Sequence, residues 1–164
     1  MKRFLVYWLP VLLWAGMIFA FSSQPYEQQD LRPTLGKYLN EDFVRQLFSG
    51  VTFHYAAEEV SVEALGATGF IEFFIRKGAH FSVYFVLAVL LFRAFFARER
   101  HGAKAFTAAL LFSVLYAASD EIHQHFTGGR TPLPLDVALD STSALIGTFV
   151  AFFVIKGKNK ALSS

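Results

Sequence analysis

Four stretches of this chain run apolar for close to the length a helix needs to cross a lipid bilayer. A hydrocarbon core roughly 30 Å thick takes about 20 helical residues, each advancing about 1.5 Å. Residues 4–21, FLVYWLPVLLWAGMIFAF, carry no charge and one interior proline, Pro10. Residues 79–97 carry His80 near their start and Arg93 near their end. Residues 105–119 are uncharged and extend through 122, while 137–155 hold one charge, Asp140, beside Ser141, Thr142 and Ser143. Lipid offers no partner to free backbone groups, so all four are predicted as helices.

The basic residues flanking these spans predict their direction. Lys2 and Arg3 precede the first span, and Arg93, Arg98, Arg100 and Lys104 cluster around the junction of the second and third. Lys156, Lys158 and Lys160 follow the fourth. Four crossings put all three groups on one side, which predicts cytoplasmic N- and C-termini. The opposite side then receives residues 22–78 and 120–136. Residues 1–22 also resemble a cleaved signal peptide. Their apolar run exceeds the usual length of such a segment and holds two tryptophans, which favours a retained span.

The long outer segment is not low in complexity. Residues 42–48 and 60–74 place apolar side chains at helical spacing, with Asn40 or Glu41 as a start and Gly50 as a stop for the first. Short amphipathic helices on the membrane surface or over the bundle are predicted here, against the alternative of a plain tether.

Composition agrees with a membrane protein. Of 164 residues, 54% are hydrophobic and 20 are phenylalanine, more apolar surface than a soluble domain this small can cover. A dispersed net charge of +2 argues against a nucleic-acid partner. The absence of cysteine excludes disulfides, thiolate metal sites and cysteine nucleophiles. The predicted fold class is all-α: a four-helix transmembrane bundle with a helical extracytoplasmic segment, forming one domain over residues 1–164.

On the predicted topology the polar residues gather at one membrane border. Ser22, Ser23 and Gln24 end the first span, and Lys77 and His80 begin the second. Asp120, Glu121, His123 and Gln124 end the third, Arg130 lies in the connection, and Asp136 and Asp140 open the fourth. Asp120, His123 and Gln124 share a helical face by their spacing of three and four. Asp136 and Asp140 lie at a helix start, where the dipole favours carboxylates. Lys77, His80 and Tyr84 form another polar stripe, and Gly128-Gly129-Arg130 supplies a turn with a guanidinium suited to carboxylate or phosphate.

Four readings fit these residues. Arg130, Lys77 and His80 hold an anionic headgroup while carboxylates fix the bases; or His123, Asp120 and an aspartate at 136 or 140 bind a divalent metal, although the spacing follows no standard metal motif. Alternatively, His123 with Asp120 or Glu121 performs acid–base chemistry, with Ser22, Ser23, Ser119 and Ser141 as candidate nucleophiles. The fourth reading is a structural ion-pair network locking helix ends together. No cofactor is predicted. Elsewhere, Arg93 is expected to snorkel to the surface, His101 to sit in a solvated loop, and His54 to serve packing. His125 is expected to point away from the Asp120 face.

At these residues the chain resembles the VanZ-like family of bacterial membrane proteins. The resemblance rests on Phe21-Ser22-Ser23-Gln24, on Arg76-Lys77-Gly78-Ala79-His80-Phe81 with Tyr84, and on Ser119-Asp120-Glu121-Ile122-His123-Gln124-His125-Phe126. Gly129-Arg130, Asp136, Asp140 and Gly147 complete it. It covers residues 4–155 apart from the segment between Gln24 and Ile75, which matches no motif. It implies a cell-envelope protein of the bacterial membrane, named for a member that raises teicoplanin resistance. The meeting of basic and acidic groups beside lipid at that depth predicts, in turn, an anionic partner, a membrane lipid or lipid-linked cell-wall precursor. The resemblance also implies a polar site of Lys77, His80, Asp120, Glu121, His123, Gln124, Arg130, Asp136 and Asp140. The competing class is a membrane-embedded hydrolase or transferase acting on a lipid-linked substrate; a transporter of four spans would need to oligomerise.

Overall fold

The structure, a computed structural model, describes residues 2–128 and 133–161. Four of its helices are long and apolar enough to cross a membrane: α1 (Lys2–Ser22), α5 (Val62–Glu99), α6 (Gly102–Gly128) and α7 (Pro134–Ala161). Between α1 and α5 lie three short helices, α2 (Tyr26–Gln29), α3 (Arg32–Tyr38) and α4 (Glu41–Phe48), and a hairpin of β1 (Thr52–Tyr55) and β2 (Glu58–Ser61). The protein is thus an all-α membrane bundle with one small two-stranded sheet.

Two compact units divide the chain, residues 1–24 with 80–164, and residues 25–79, the boundary falling inside α5. In the first unit α6 packs against both α7 and α1. Its core joins Tyr84, Leu87, Leu91 and Phe92 of α5 to Val11 and Ile18 of α1, Ala105, Ala109 and Ala117 of α6, and Ala151 of α7. Most other apolar side chains of these helices, such as Leu12, Leu115 and Phe153, face outward. In water such faces would drive aggregation; toward lipid they are the ordinary exterior of a membrane bundle.

Because lipid tails are as apolar as the helices, close approach and interhelical hydrogen bonds must hold the bundle. Gly147 supplies the closest approach, since a Cβ there would stand 2.5 Å from the Phe85 carbonyl oxygen. One turn earlier, Ser143 hydroxyl donates to the Phe81 carbonyl. Trp14 Nε1 donates to the Val83 carbonyl at 2.9 Å, and Tyr116 hydroxyl to the Ala15 carbonyl at 2.6 Å. All four long helices are therefore stitched by polar atoms as well as by packing.

The 25–79 unit has its own core of Val44, Val60, Val62, Ala67 and Phe70. Asn40 opens α4 as expected, its side chain accepting from Phe43 N at 3.0 Å. The expectation of a helix from residue 60 needs correction. Val60 and Ser61 belong to β2, where Val60 pairs with Phe53, and the helix begins at Val62. Gly66 then sits at φ 70°, a left-handed conformation that glycine adopts freely, and kinks the first turns of α5. His54 is likewise not a packing residue: it is exposed on β1, opposite Glu59. A buried glutamate, Glu72, accepts from Leu31 N at 3.1 Å, tying the segment before α3 to α5 within this unit.

Candidate functional site

Within the bundle unit, buried polar side chains meet where α5 begins its passage through the core and α6 ends. Tyr84 is fully buried, and its hydroxyl donates to Asp120 Oδ2 at 2.9 Å. Gln124, one turn further along α6, donates from Nε2 to the same oxygen at 3.2 Å. Asp120 and Gln124 are each 5% exposed, so this carboxylate is held by neutral donors away from solvent.

Four residues before Tyr84, His80 faces a second carboxylate. Its Nδ1 stands 3.4 Å from Oδ2 of Asp140 on α7, a long hydrogen bond. Asp140 is 3% exposed, and its other oxygen, Oδ1, is buried with no hydrogen-bond partner among the described residues. Residues four apart on a helix lie on one face about 5–6 Å apart. One stripe of α5 therefore carries both carboxylates, Asp120 arriving from α6 and Asp140 from α7. Asp136, half-buried in the first turn of α7, and Asp120 both lie within electrostatic reach of Asp140.

Two further contacts frame this pair. Glu121 Oε1 accepts from Leu133 N at 2.7 Å, which fastens α6 to the residue preceding α7. His123 Nε2 lies 3.0 Å from Oγ of Ser23, the residue after α1, and its ring stacks on Phe19 with centroids 4.4 Å apart. Ser23 Oγ also lies 2.8 Å from the Phe19 carbonyl, which can only accept. A hydroxyl has one proton to give, so in this arrangement it goes to Phe19 and His123 Nε2–H donates to Ser23.

Of the residues singled out in the sequence, His80, Asp120, Gln124 and Asp140 thus form two adjacent polar pairs, with Glu121, His123 and Asp136 at their border. Arg130 lies outside the described residues. Lys77 belongs to the 25–79 unit, where its ammonium stands 4.4 Å from the Tyr55 ring centroid. Among the described residues no three His, Asp or Glu side chains converge in a way that would hold a metal ion. His125 is exposed, away from the Asp120 face. Tyr84 carries more of the site than its place at the end of the Lys77–His80 stripe suggests. Its signal was present, four residues after His80 in a span otherwise poor in polar groups.

Four apolar helices around a core of hydrogen-bonded carboxylates define a multi-pass membrane protein with a polar site buried at one end of its bundle. A family model, described as VanZ/LLP1, matches residues 6–155, nearly the whole chain. The chain belongs to the VanZ/LLP1 family. No curated protein and no solved structure gave a significant match.

Proposed function

We propose that this protein acts in the cell envelope by binding a lipid-borne ligand at the polar end of its bundle, where Asp120 and Asp140 accept hydrogen bonds from the ligand's hydroxyl or amino groups. The observation that carries this reading is Asp140, 3% exposed, with one oxygen at His80 and the other buried and unpaired among the described residues. A buried acceptor without a donor costs about 1–3 kcal/mol. Ionisable groups at bilayer depth are as a rule paired or used. A donor brought by a ligand removes that cost.

The ligand class follows from its surroundings. Lipid-exposed helices receive an acyl anchor, buried carboxylates receive hydroxyl or amino groups, and Arg130 is the group suited to a phosphate. A lipid-linked cell-wall precursor combines all three. The flanking basic residues support cytoplasmic termini and an outward polar end. Sequestering such a precursor is the route by which the chain would alter susceptibility to a teicoplanin-type glycopeptide.

Native mass spectrometry of the detergent-solubilised chain, expressed in a cell that makes such precursors, tests the proposal. The wild type is expected to carry a precursor-mass adduct, and Asp140→Asn to lose it at unchanged membrane abundance. Arg130→Ala is expected to lose both adduct and teicoplanin protection. Adducts and protection retained in both variants contradict the reading.

A second reading, a hydrolase or transferase on the same lipid-linked class, is favoured by one contact. Ser23 and His123 stand at nucleophile–base distance, 3.0 Å. It requires the Ser23 proton to turn from Phe19 to His123. Hydrolysis or transfer on a lipid-linked substrate that stops in both Ser23→Ala and His123→Gln supports it; full turnover in His123→Gln removes it.

A further inference from the structure

The other end of the bundle contains a cavity that the polar site does not use. Along α5 the rise from His80 to Arg93 is about 20 Å, about two-thirds of the thickness of a bilayer core, so the two lie in opposite halves of the membrane. Around Arg93 the bundle opens into a pocket of about 810 Å³, formed by the start of α1, the last turns of α5 and Ile155 of α7. This is the size of a small-molecule or headgroup site.

Its walls are of two kinds. Tyr7, Trp8 and Phe96 supply a flat aromatic and apolar side. Arg93, Arg98 and Arg100 supply three cations. The Arg93 guanidinium lies over the Tyr7 ring, 5.2 Å from its centroid, a cation–π contact. Arg98 is exposed, with Glu99 Oε1 3.5 Å from its Nε. Arg100 ends the helix in a left-handed conformation, φ 54°, with its amide donating to the Phe96 carbonyl at 3.0 Å. That closure turns the chain away and keeps Arg100 on the pocket wall.

We propose that this pocket is an anionic phospholipid site: the arginines grip the phosphate and the Tyr7, Trp8 and Phe96 face receives the glycerol and upper acyl chain. Planar guanidinium groups match phosphate oxygens in pairs, and three of them beside aromatic rings at membrane-interface depth suit a phosphate attached to a lipid. Snorkelling alone would send each arginine to water independently and needs no shared cavity. The site is separate from the carboxylate site and does not depend on its ligand.

Trp8 lines the pocket, and the chain's only other tryptophan is Trp14. In a Trp14→Phe chain, Trp8 fluorescence therefore reports on occupancy. The protein is reconstituted in phosphatidylcholine vesicles containing dibrominated phosphatidylglycerol or, at equal mole fraction, dibrominated phosphatidylcholine. Stronger quenching by the anionic lipid is expected, with the preference falling about fivefold for each of Arg93→Gln, Arg98→Gln and Arg100→Gln. Arg45→Gln, on α4, is expected to leave it unchanged. Equal quenching by the two lipids, or a preference insensitive to the three arginines, overturns the proposal. Displacement by inorganic phosphate at matching concentration assigns the pocket to the free anion and overturns the lipid. Should Trp14→Phe fail to fold, native mass spectrometry of the unaltered chain decides the same question, phosphatidylglycerol adducts exceeding phosphatidylcholine adducts if the pocket is as described.

Discussion

The two ends of this bundle handle charge in opposite ways. At the Asp120–Asp140 end, carboxylates are drawn inside and held by side chains from neighbouring helices, Tyr84 and Gln124 for one and His80 for the other. At the Arg93 end, cations stay at the edge of an open pocket, with aromatic rings as their neighbours. A buried carboxylate joins helices and is expensive to disturb. The exposed guanidinia make weaker contacts, Arg93 over the Tyr7 ring and Arg98 beside Glu99, and are cheaper to remove. The apolar core runs through both ends, so the contrast between them lies in how their charged side chains are held.

The largest effect that would sharpen this contrast lies just below the carboxylates. In Gly147→Val a side chain meets the Phe85 backbone, which cannot move out of the way as a flexible side chain could. A loss of about 3 kcal/mol is expected, seen as early unfolding in a detergent titration. Wild-type stability in this variant would mean that α5 and α7 do not approach as described.

Tyr84→Phe comes next. It keeps the buried ring and removes one donor from Asp120, leaving Gln124 as the remaining partner described for that oxygen. The expected loss is about 2 kcal/mol, and it shrinks when Asp120 is already asparagine, a coupling that a double-mutant cycle measures. Independent losses would break the claim that the two side chains form one polar unit.

Arg98→Gln is the smallest. With a side chain 76% exposed, it is expected to shift unfolding by no more than about 0.5 kcal/mol while weakening anionic-lipid preference. A large destabilisation would erase the distinction between the ends.

Much of the framework was legible in the residues, because lipid imposes a strong rule: long uncharged runs become helices. All four spans appear, and Asn40 caps α4 as its side chain and position suggest. The start of α5 is not readable from hydropathy, since Glu72, Arg76 and Lys77 break the apolar run within a helix that begins at Val62 and kinks at Gly66. The hairpin was hidden for a different reason. Its strands are four residues each, and the turn residues Ala56 and Ala57 carry none of the glycine or asparagine that normally mark a tight turn; Ala56 sits at φ 56°.

At the polar end, membrane topology alone gathered His80, Asp120, Gln124 and Asp140 on one border. Which partners they choose was not readable, because Tyr84–Asp120 and His80–Asp140 join residues 36 and 60 positions apart. The arginine pocket escaped the sequence altogether. Arg93 taken singly looks like a residue reaching for water, and only the approach of α1 to the end of α5 turns three such residues into a cavity wall.

The central claim is that one bundle separates these ends across a bilayer. The chain contains no cysteine, so a single introduced thiol reports its own side of the membrane. Phe126, 80% exposed near the carboxylate end, and Arg98, at the basic end, are the positions to replace by cysteine. A membrane-impermeant maleimide applied to sealed membranes is expected to label one of them from outside and the other only after the membranes are opened. Labelling of both from the same side would contradict the account.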